Sequence, residues 1–168
     1  MIKLNVKLDA LTQETFAAYG DVIEVGEAKH FPINGGTIER YHDLANLDID
    51  TDNGGRAIVS IMSCNETSEL PYQVKVVERH PSGSQLFFPL DPVPMAIFVA
   101  PAGDRPKPED FRGFISNGRQ GVNYRAGVWH MPLISERKGQ CYLIVDRAGP
   151  GQNCEELHFT DHVVTISN

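Results

Sequence analysis

Residues 76–90 read VVERHPSGSQLFFPL, and the architecture of the chain can be worked out from this stretch. Its first residues are β-branched and apolar, which is typical of a short strand. Because side chains alternate along a strand, Glu78 and His80 lie on one face and Arg79 on the other. Pro-Ser-Gly-Ser then turns the chain, and Gln85 begins a second strand. The spacing Glu-x-His-x4-Gln therefore predicts two strands whose junction brings polar side chains together.

A second stretch, GVNYRAGVWHMPL at residues 121–133, contains the only tryptophan of the chain. Arg-Ala-Gly is turn-like, so we expect a hairpin with Arg125 at a solvent-facing tip. Trp129 and His130 must point to opposite faces of their strand. Taken alone, the stretch fits a core hairpin with an incidental histidine as well as it fits the wall of a pocket. Tyr124 lines that pocket if the turn preserves the register.

Further strand-like segments, rich in β-branched and aromatic residues, follow one another along the chain between Gly, Pro, Asn and Asp. With the two stretches above they make about ten: DVIEV, TIERYHDL, RAIVSIMSC, QVKVVERH, QLFFPL, MAIFVA, GVNY, VWHMPLI, QCYLIVD and HVVTIS. So many short strands with little helix predict a β-sandwich, a jelly roll or a small barrel.

Helix signals are few. LTQETFAAYG, residues 11–20, predicts one short helix that Thr12 caps and that Gly20 ends in the left-handed conformation. A second short helix is predicted from Pro108, since acidic residues follow it in the first turn. At 168 residues the chain is expected to form a single domain over 1–168, with residues 100–110 as a surface loop.

Composition narrows the function classes. The net charge is −7, and no Lys/Arg cluster offsets it locally, which argues against nucleic-acid binding. No apolar run of about 18 residues is present, so we expect no membrane span. The N-terminus lacks the apolar core of a signal peptide, and three cysteines without CxxC spacing suit a reducing compartment. The expected location is the cytoplasm.

The Glu-x-His-x4-Gln pattern resembles the metal motif of the cupin superfamily, which is His-x-His, three or four residues, Glu, and one more His on a later hairpin. Glu78 stands at the first His, Gln85 at the Glu, and His130 is the candidate for the later His. The resemblance implies a mainly β fold, a cupin-type double-stranded β-helix (jelly-roll barrel) with one or two short helices. It also implies a divalent metal, such as nickel or manganese, on Glu78, His80, Gln85 and His130. The alternative is that both histidines lie in the pocket without a metal.

Five segments together are similar to the ureidoglycolate lyase family (formerly called hydrolases): FAAYGDVIE, ERYHDL, ERHPSGSQ, ISNGRQGVNYRAGVWHMPL and DRAGPGQNCEE. They run from about residue 16 to residue 156 in the family's order. The resemblance implies a homodimer that splits (S)-ureidoglycolate into glyoxylate and urea in allantoin (purine) degradation.

The chemistry of that substrate assigns roles to the pattern. Elimination at a carbinolamide carbon needs a general base and a general acid, and His80 and His130 are the best candidates because imidazole titrates near neutrality. Glu78 can orient a histidine, act as the base or ligate the metal. Gln85 and Tyr124 are expected to contact substrate, and Arg40 can reach its carboxylate, from a dimer partner if not from the same chain. Which histidine is base and which is acid stays open.

Two other functions remain compatible with the sequence. One is a metal-dependent cupin oxygenase or isomerase acting on a small carboxylate, and the other is a non-catalytic cupin that binds a small carboxylate. Weaker signals are expected to be structural: Asn123 as a turn residue, His158 and His162 as surface positions, and Cys154 as a thiol without a basic neighbour.

Overall fold

The computed structural model describes residues 2–168, and fifteen strands make up most of its regular structure. In chain order these are β1 Ile2–Ala10, β2 Gly20–Ile23, β3 His30–Ile33, β4 Ile38–Tyr41, β5 Arg56–Ser63, β6 Tyr72–Val74, β7 Val76–Arg79, β8 Gln85–Pro89, β9 Ala96–Ala100, β10 Arg112–Ile115, β11 Gly121–Tyr124, β12 Trp129–His130, β13 Cys141–Ala148, β14 Glu155–His158 and β15 His162–Ser167.

The strands form three sheets. Eight of them lie in the spatial order β14-β7-β12-β9-β10-β1-β15-β6, five in the order β2-β11-β8-β13-β5, and β3 pairs with β4 alone. β1 joins two parts of the eight-stranded sheet, because Leu8–Ala10 pair with β10 while Ile2–Lys7 pair with β15. The expectation of a mainly β fold with little helix is confirmed.

Two hydrophobic clusters lie on opposite faces of the large sheet, and β9 shows how both are filled. Ile97 and Val99 enter the cluster shared with the five-stranded sheet, whereas Phe98 and Ala100 enter the cluster shared with β1 and β15. A strand buried on both faces reads as a continuous apolar run, which explains why MAIFVA shows no polar alternation. Burial of Ile97, Phe98 and Val99 stabilises the fold by about 1.5–3 kcal/mol for each side chain.

Helical structure is sparse, as expected. One α-helix, α1 (Gln13–Phe16), starts after Thr12, whose side chain accepts a hydrogen bond from the backbone N–H of Thr15 at 3.2 Å. The helix predicted at Pro108 is a single 3₁₀ turn, Pro108–Asp110, and the residues after it form β10. Among residues 2–168, no helix has the length and apolar character needed to cross a bilayer.

Two predictions about single residues were wrong. Gly20 does not end a helix in the left-handed conformation; it starts β2 with extended backbone, and a side chain there would overlap the carbonyl oxygen of Asn123. Asn123 is not a turn residue. It lies in β11 opposite Asp21, and its amide donates to the Asp21 carboxylate at 3.0 Å and to the carbonyl of Asn46 at 2.9 Å.

Two neighbouring connections cross from one large sheet to the other. Residues 80–84 lead from β7 in the eight-stranded sheet to β8 in the five-stranded sheet, and residues 125–128 lead from β11 to β12 in the reverse sense. The hairpin predicted over residues 121–133 is therefore wrong, because β11 and β12 lie in different sheets and pair with other strands. The two connections are joined by a hydrogen bond from the N–H of Gly127 to the carbonyl of His80 at 2.9 Å. The side chains at the ends of these four strands therefore face one another.

Candidate active site

Three ionisable side chains converge between the two large sheets. Glu78 and His130 are directly paired across β7 and β12, so their side chains leave the sheet on the same face. Oε1 of Glu78 lies 3.7 Å from Nε2 of His130 and 3.8 Å from Nε2 of His80. These are ion-pair distances, longer than direct hydrogen bonds. One carboxylate oxygen thus faces both imidazoles.

The outer nitrogen of each imidazole is held by the backbone. Nδ1 of His80 donates to the carbonyl of Asn153 at 2.6 Å, and Nδ1 of His130 donates to the carbonyl of Val128 at 3.0 Å. When Nδ1 carries the proton of a neutral imidazole, Nε2 carries a lone pair. Both Nε2 atoms therefore face the centre of the site as proton acceptors or ligands.

Gln85 and Tyr124 complete this group from the five-stranded sheet. The side-chain Oε1 of Gln85 lies 3.0 Å from Nε2 of His130 and accepts a hydrogen bond from that nitrogen when it carries a proton. The ring of Tyr124 stacks on that of His130, with centroids 4.2 Å apart and 11° between the planes. Burial, with a smaller contribution from Glu78, raises the pKa of Tyr124, so its phenol is neutral at physiological pH.

Electrostatics within the group favour an ionised carboxylate beside a protonated imidazole. The imidazoles of His130 and His80 lower the pKa of Glu78 to about 2, against the opposing effect of its burial. Burial alone would lower the pKa of His80, but the Glu78 carboxylate and the Asn153 carbonyl together raise it. The site is therefore suited to holding a proton on His80 near neutral pH.

The same residues fit a divalent metal ion. The ligand atoms of Glu78, His80 and His130 all lie within 4.8 Å of one another. Two imidazole nitrogens and a carboxylate suit borderline ions such as nickel, manganese or zinc, and metal-binding histidines commonly donate their other N–H to a backbone carbonyl, as both do here. Nε2 of His80 is buried and has no hydrogen-bond partner within residues 2–168, which leaves it available as a ligand.

Arg40 is not brought to this group within the chain. It lies exposed on β4 of the isolated hairpin, and its side chain forms no ion pair or hydrogen bond with residues 2–168. Arg79 points to the opposite face of β7, as alternation requires. It stacks on Trp129 at 4.7 Å from the ring centroid and forms an ion pair with Glu155 at 2.6 Å.

Two contacts of the site were not foreseen from sequence. One is the carbonyl of Asn153 on His80, and the other is the thiol of Cys154, which lies 3.9 Å from Oε2 of Glu78. Burial and the carboxylates of Glu78 and Glu156 raise the pKa of Cys154, so the thiol is protonated and is not an activated nucleophile. The segment DRAGPGQNCEE was among those that resemble the family, but its residue types do not indicate which backbone carbonyl accepts a hydrogen bond.

Known proteins resemble this chain over nearly its whole length. The ureidoglycolate lyase family model matches residues 3–166. Proteins named ureidoglycolate lyase include one from Pseudomonas aeruginosa (strain LESB58), 47% identical over 157 residues, which span 94% of this chain and 92% of that protein. Another, from Burkholderia cepacia, is 48% identical over 153 residues, or 90% and 85% of the two chains. A structure of RmlC from Streptococcus suis in complex with dTDP-D-xylose aligns with a TM-score of 0.37 and 10% identity, covering 86% of this chain and 74% of that one.

Proposed function

The chain belongs to the ureidoglycolate lyase family, and from this premise we propose that it cleaves (S)-ureidoglycolate into glyoxylate and urea between its two large sheets. One observation carries the assignment of the site: the Nε2 atoms of His80 and His130 both face one oxygen of Glu78. The relatives give no support to an oxygenase, an isomerase or a non-catalytic binding protein.

The reaction needs one proton removed and one proton supplied. In ureidoglycolate a single carbon carries a hydroxyl group, a carboxylate and a urea nitrogen. As a base takes the hydroxyl proton, the C–O bond becomes the carbonyl of glyoxylate and the C–N bond breaks with its electron pair on nitrogen. An acid then protonates that nitrogen, and urea leaves without consumption of water. A general acid and a general base each contribute on the order of 10² to 10⁴ in rate.

We assign the acid to His80 and the base to His130. His80 is favoured as the acid because the Glu78 carboxylate raises its pKa and so stabilises its protonated form. His130 receives the hydroxyl proton at Nε2, with its Nδ1 proton held by the carbonyl of Val128. Glu78, ionised throughout, stabilises whichever imidazole carries the proton.

The neighbouring residues bind and orient. Gln85 has an amide that donates and accepts, so it can hydrogen-bond the substrate hydroxyl or urea while holding His130. Tyr124 fixes the plane of the His130 ring by stacking on it. The substrate carboxylate needs a cation or a set of N–H groups, and we propose that Arg40 of a second copy supplies it.

A divalent ion, nickel or manganese, would be held by Glu78, His80 and His130 with Gln85 as a fourth ligand. Bound there, it would supply Lewis-acid polarisation of the substrate's hydroxy-carboxylate group and acidify the hydroxyl.

The decisive assay gives the purified protein racemic ureidoglycolate and measures glyoxylate and urea together, with and without a chelator. We expect equal amounts of both products, formed from half of the racemate. Activity lost on chelation and restored by nickel or manganese would support the metal; unchanged activity would support side-chain acid and base alone. Glyoxylate no faster than the spontaneous rate would contradict the proposed function.

We further propose a homodimer that pairs through β5. This eight-residue strand ends the five-stranded sheet, and Val59 and Ile61 are 69% and 64% exposed along it. A long apolar edge strand without a covering element is a site for pairing with another chain. A second copy on this edge would extend the sheet and cover both side chains.

Replacing Ile61 with lysine should convert the dimer to a monomer, because the charge would be buried at the new interface. Size-exclusion chromatography with light scattering measures the mass directly. The matched control is Leu90→Lys, which charges an apolar side chain of 50% exposure outside β5 and should leave the dimer intact. A monomeric wild type would contradict the dimer, and a monomeric variant with unchanged KM would contradict a carboxylate contact supplied by the partner's Arg40.

The chain is proposed to act as one domain in the cytoplasm. Its three cysteines are all free thiols, which is the state expected in a reducing compartment.

A further inference from the structure

We propose that Asn153 is a positioning residue of this enzyme, which fixes the ring orientation and the tautomer of His80. Asn153 touches no substrate in this proposal and acts only through His80. The kinetic part of the inference rests on the proposed lyase function, whereas the tautomer can be measured without any substrate.

Asn153 makes two hydrogen bonds with the turn that begins at His80. Its backbone carbonyl accepts the Nδ1 proton of His80 at 2.6 Å, and its side-chain Oδ1 accepts from the backbone N–H of Ser82 at 2.7 Å. The two contacts lie on either side of Pro81, so Asn153 binds both the imidazole of His80 and the backbone that follows it. If Oδ1 is removed, the carbonyl is no longer tied at hydrogen-bond distance from the ring.

The segment that carries Asn153 is itself anchored. The guanidinium of Arg147, buried under the turn, donates from both terminal nitrogens to the carbonyl of Pro150 at 3.2 and 3.3 Å. Gly149 and Gly151 adopt positive φ angles of 146° and 85°, which side chains rarely adopt, and these let the chain turn tightly before Asn153. Asn153 is therefore presented to His80 from a fixed turn.

The consequence is chemical. The hydrogen bond at one imidazole nitrogen decides which nitrogen of the neutral ring carries the proton. With Nδ1–H given to Asn153, Nε2 of His80 faces Glu78 and His130 with a lone pair. A ring freed from this contact would place an N–H there in part of the molecules, and the neutral ring could then neither take up at Nε2 the proton that His80 donates as the acid nor ligate a metal through that atom.

The test compares Asn153→Ala with Asn153→Asp, which retains an acceptor for the N–H of Ser82, and with Gln152→Ala as the control. Gln152 is exposed in the same turn, and among residues 2–168 its amide donates only to the carbonyl of Cys154. ¹⁵N spectra of labelled imidazoles at about pH 9, above the titration of histidine, report the tautomer. The His80 signals are identified by their absence in His80→Asn.

We expect the Nδ1–H form of His80 to dominate in the wild type, Asn153→Asp and Gln152→Ala, and to become mixed in Asn153→Ala. The kcat of Asn153→Ala should fall about 10- to 100-fold, the range for residues that orient a functional histidine, with KM within about twofold. If Asn153→Ala does not fold, Asn153→Ser is measured in the same way.

An unchanged His80 tautomer in a folded variant would overturn the inference. So would a loss of rate in Asn153→Ala that Asn153→Asp fails to restore. A wild type without lyase activity would refute the proposed function but leave the tautomer comparison valid, so the two failures are distinguishable.

Discussion

Replacing His130 with alanine should abolish turnover and leave a cooperatively folding barrel. The substitution removes the proposed base, and with it one of the two Nε2 atoms that face Glu78. Loss of a general base predicts a fall in kcat of about 10²- to 10⁴-fold. Steady-state assays of glyoxylate release, corrected for spontaneous decay of the substrate, measure it.

The fold should tolerate this change at reduced stability. His130 is buried, and its removal leaves the Gln85 amide without its partner and opens space beside the Tyr124 ring. An unsatisfied buried polar group costs about 1–3 kcal/mol, so thermal unfolding should shift downward but remain a single transition.

His158→Ala is the matched control for this variant. His158 is an exposed histidine at the end of β14 whose only side-chain partner among residues 2–168 is Glu156, at 3.0 Å. Its turnover should stay within about twofold of the wild type. A folded His130→Ala protein with near-normal turnover would show that the reaction takes place elsewhere.

Alternation along strands predicted most of what positions this site. Placing Glu78 and His80 on one face, and Trp129 and His130 on opposite faces, needs only the period of two, and the structure has both. The turn before Gln85 also follows from local residue types. These features depend on neighbours in sequence, which is why sequence alone suffices for them.

Strands whose pattern was obscured were missed. β1 alternates at Leu4, Val6 and Leu8, but it precedes a helix signal and was not recognised as a strand. β14 begins with two glutamates, and its inward residue is Leu157 alone. β1 pairs with β15, and β14 pairs with β7, although the partners are far apart in sequence. No local residue pattern indicates which strand each of them joins.

The sequence predicted which side chains form the site, but it did not predict which backbone carbonyls accept hydrogen bonds from them. Histidine and glutamate side chains can be recognised as candidate site residues from their chemistry. Every peptide unit has a carbonyl, so only the folded chain shows that those of Val128 and Asn153 accept hydrogen bonds from the two histidines. The approach of Cys154 to Glu78 likewise depends on the register between β14 and β7.

Replacing Glu78 with glutamine should lower kcat by about 10²- to 10³-fold with little change in shape. Glutamine has nearly the same size but no charge, so neither imidazole is stabilised in its protonated form and the carboxylate ligand of the metal is lost. The pKa of His80 should fall, because the first group that raises it is Glu78. Because His80 must be protonated to act as the acid, the alkaline limb of the kcat profile should therefore move to lower pH.

Glu155→Gln is the control, since Glu155 forms an exposed ion pair with Arg79 on the other face of the sheet. Such pairs contribute at most about 1 kcal/mol, and turnover should be unaffected. If Glu78→Gln matched this control in turnover, Glu78 would have no part in the reaction.

In Glu78→Gln the free energy of unfolding should also depend less on pH in the acid range than it does in the wild type. Glu78 has a pKa of about 2 in the folded protein, below its ordinary value of 4.5, so its ionised form stabilises the fold fully above about pH 4.5. That contribution, about 3 kcal/mol for a shift of this size, is lost progressively as the pH falls toward 2. Urea unfolding across this window should show a steeper decline for the wild type than for Glu78→Gln. Parallel declines would mean that the carboxylate titrates normally and is not held between the two imidazoles.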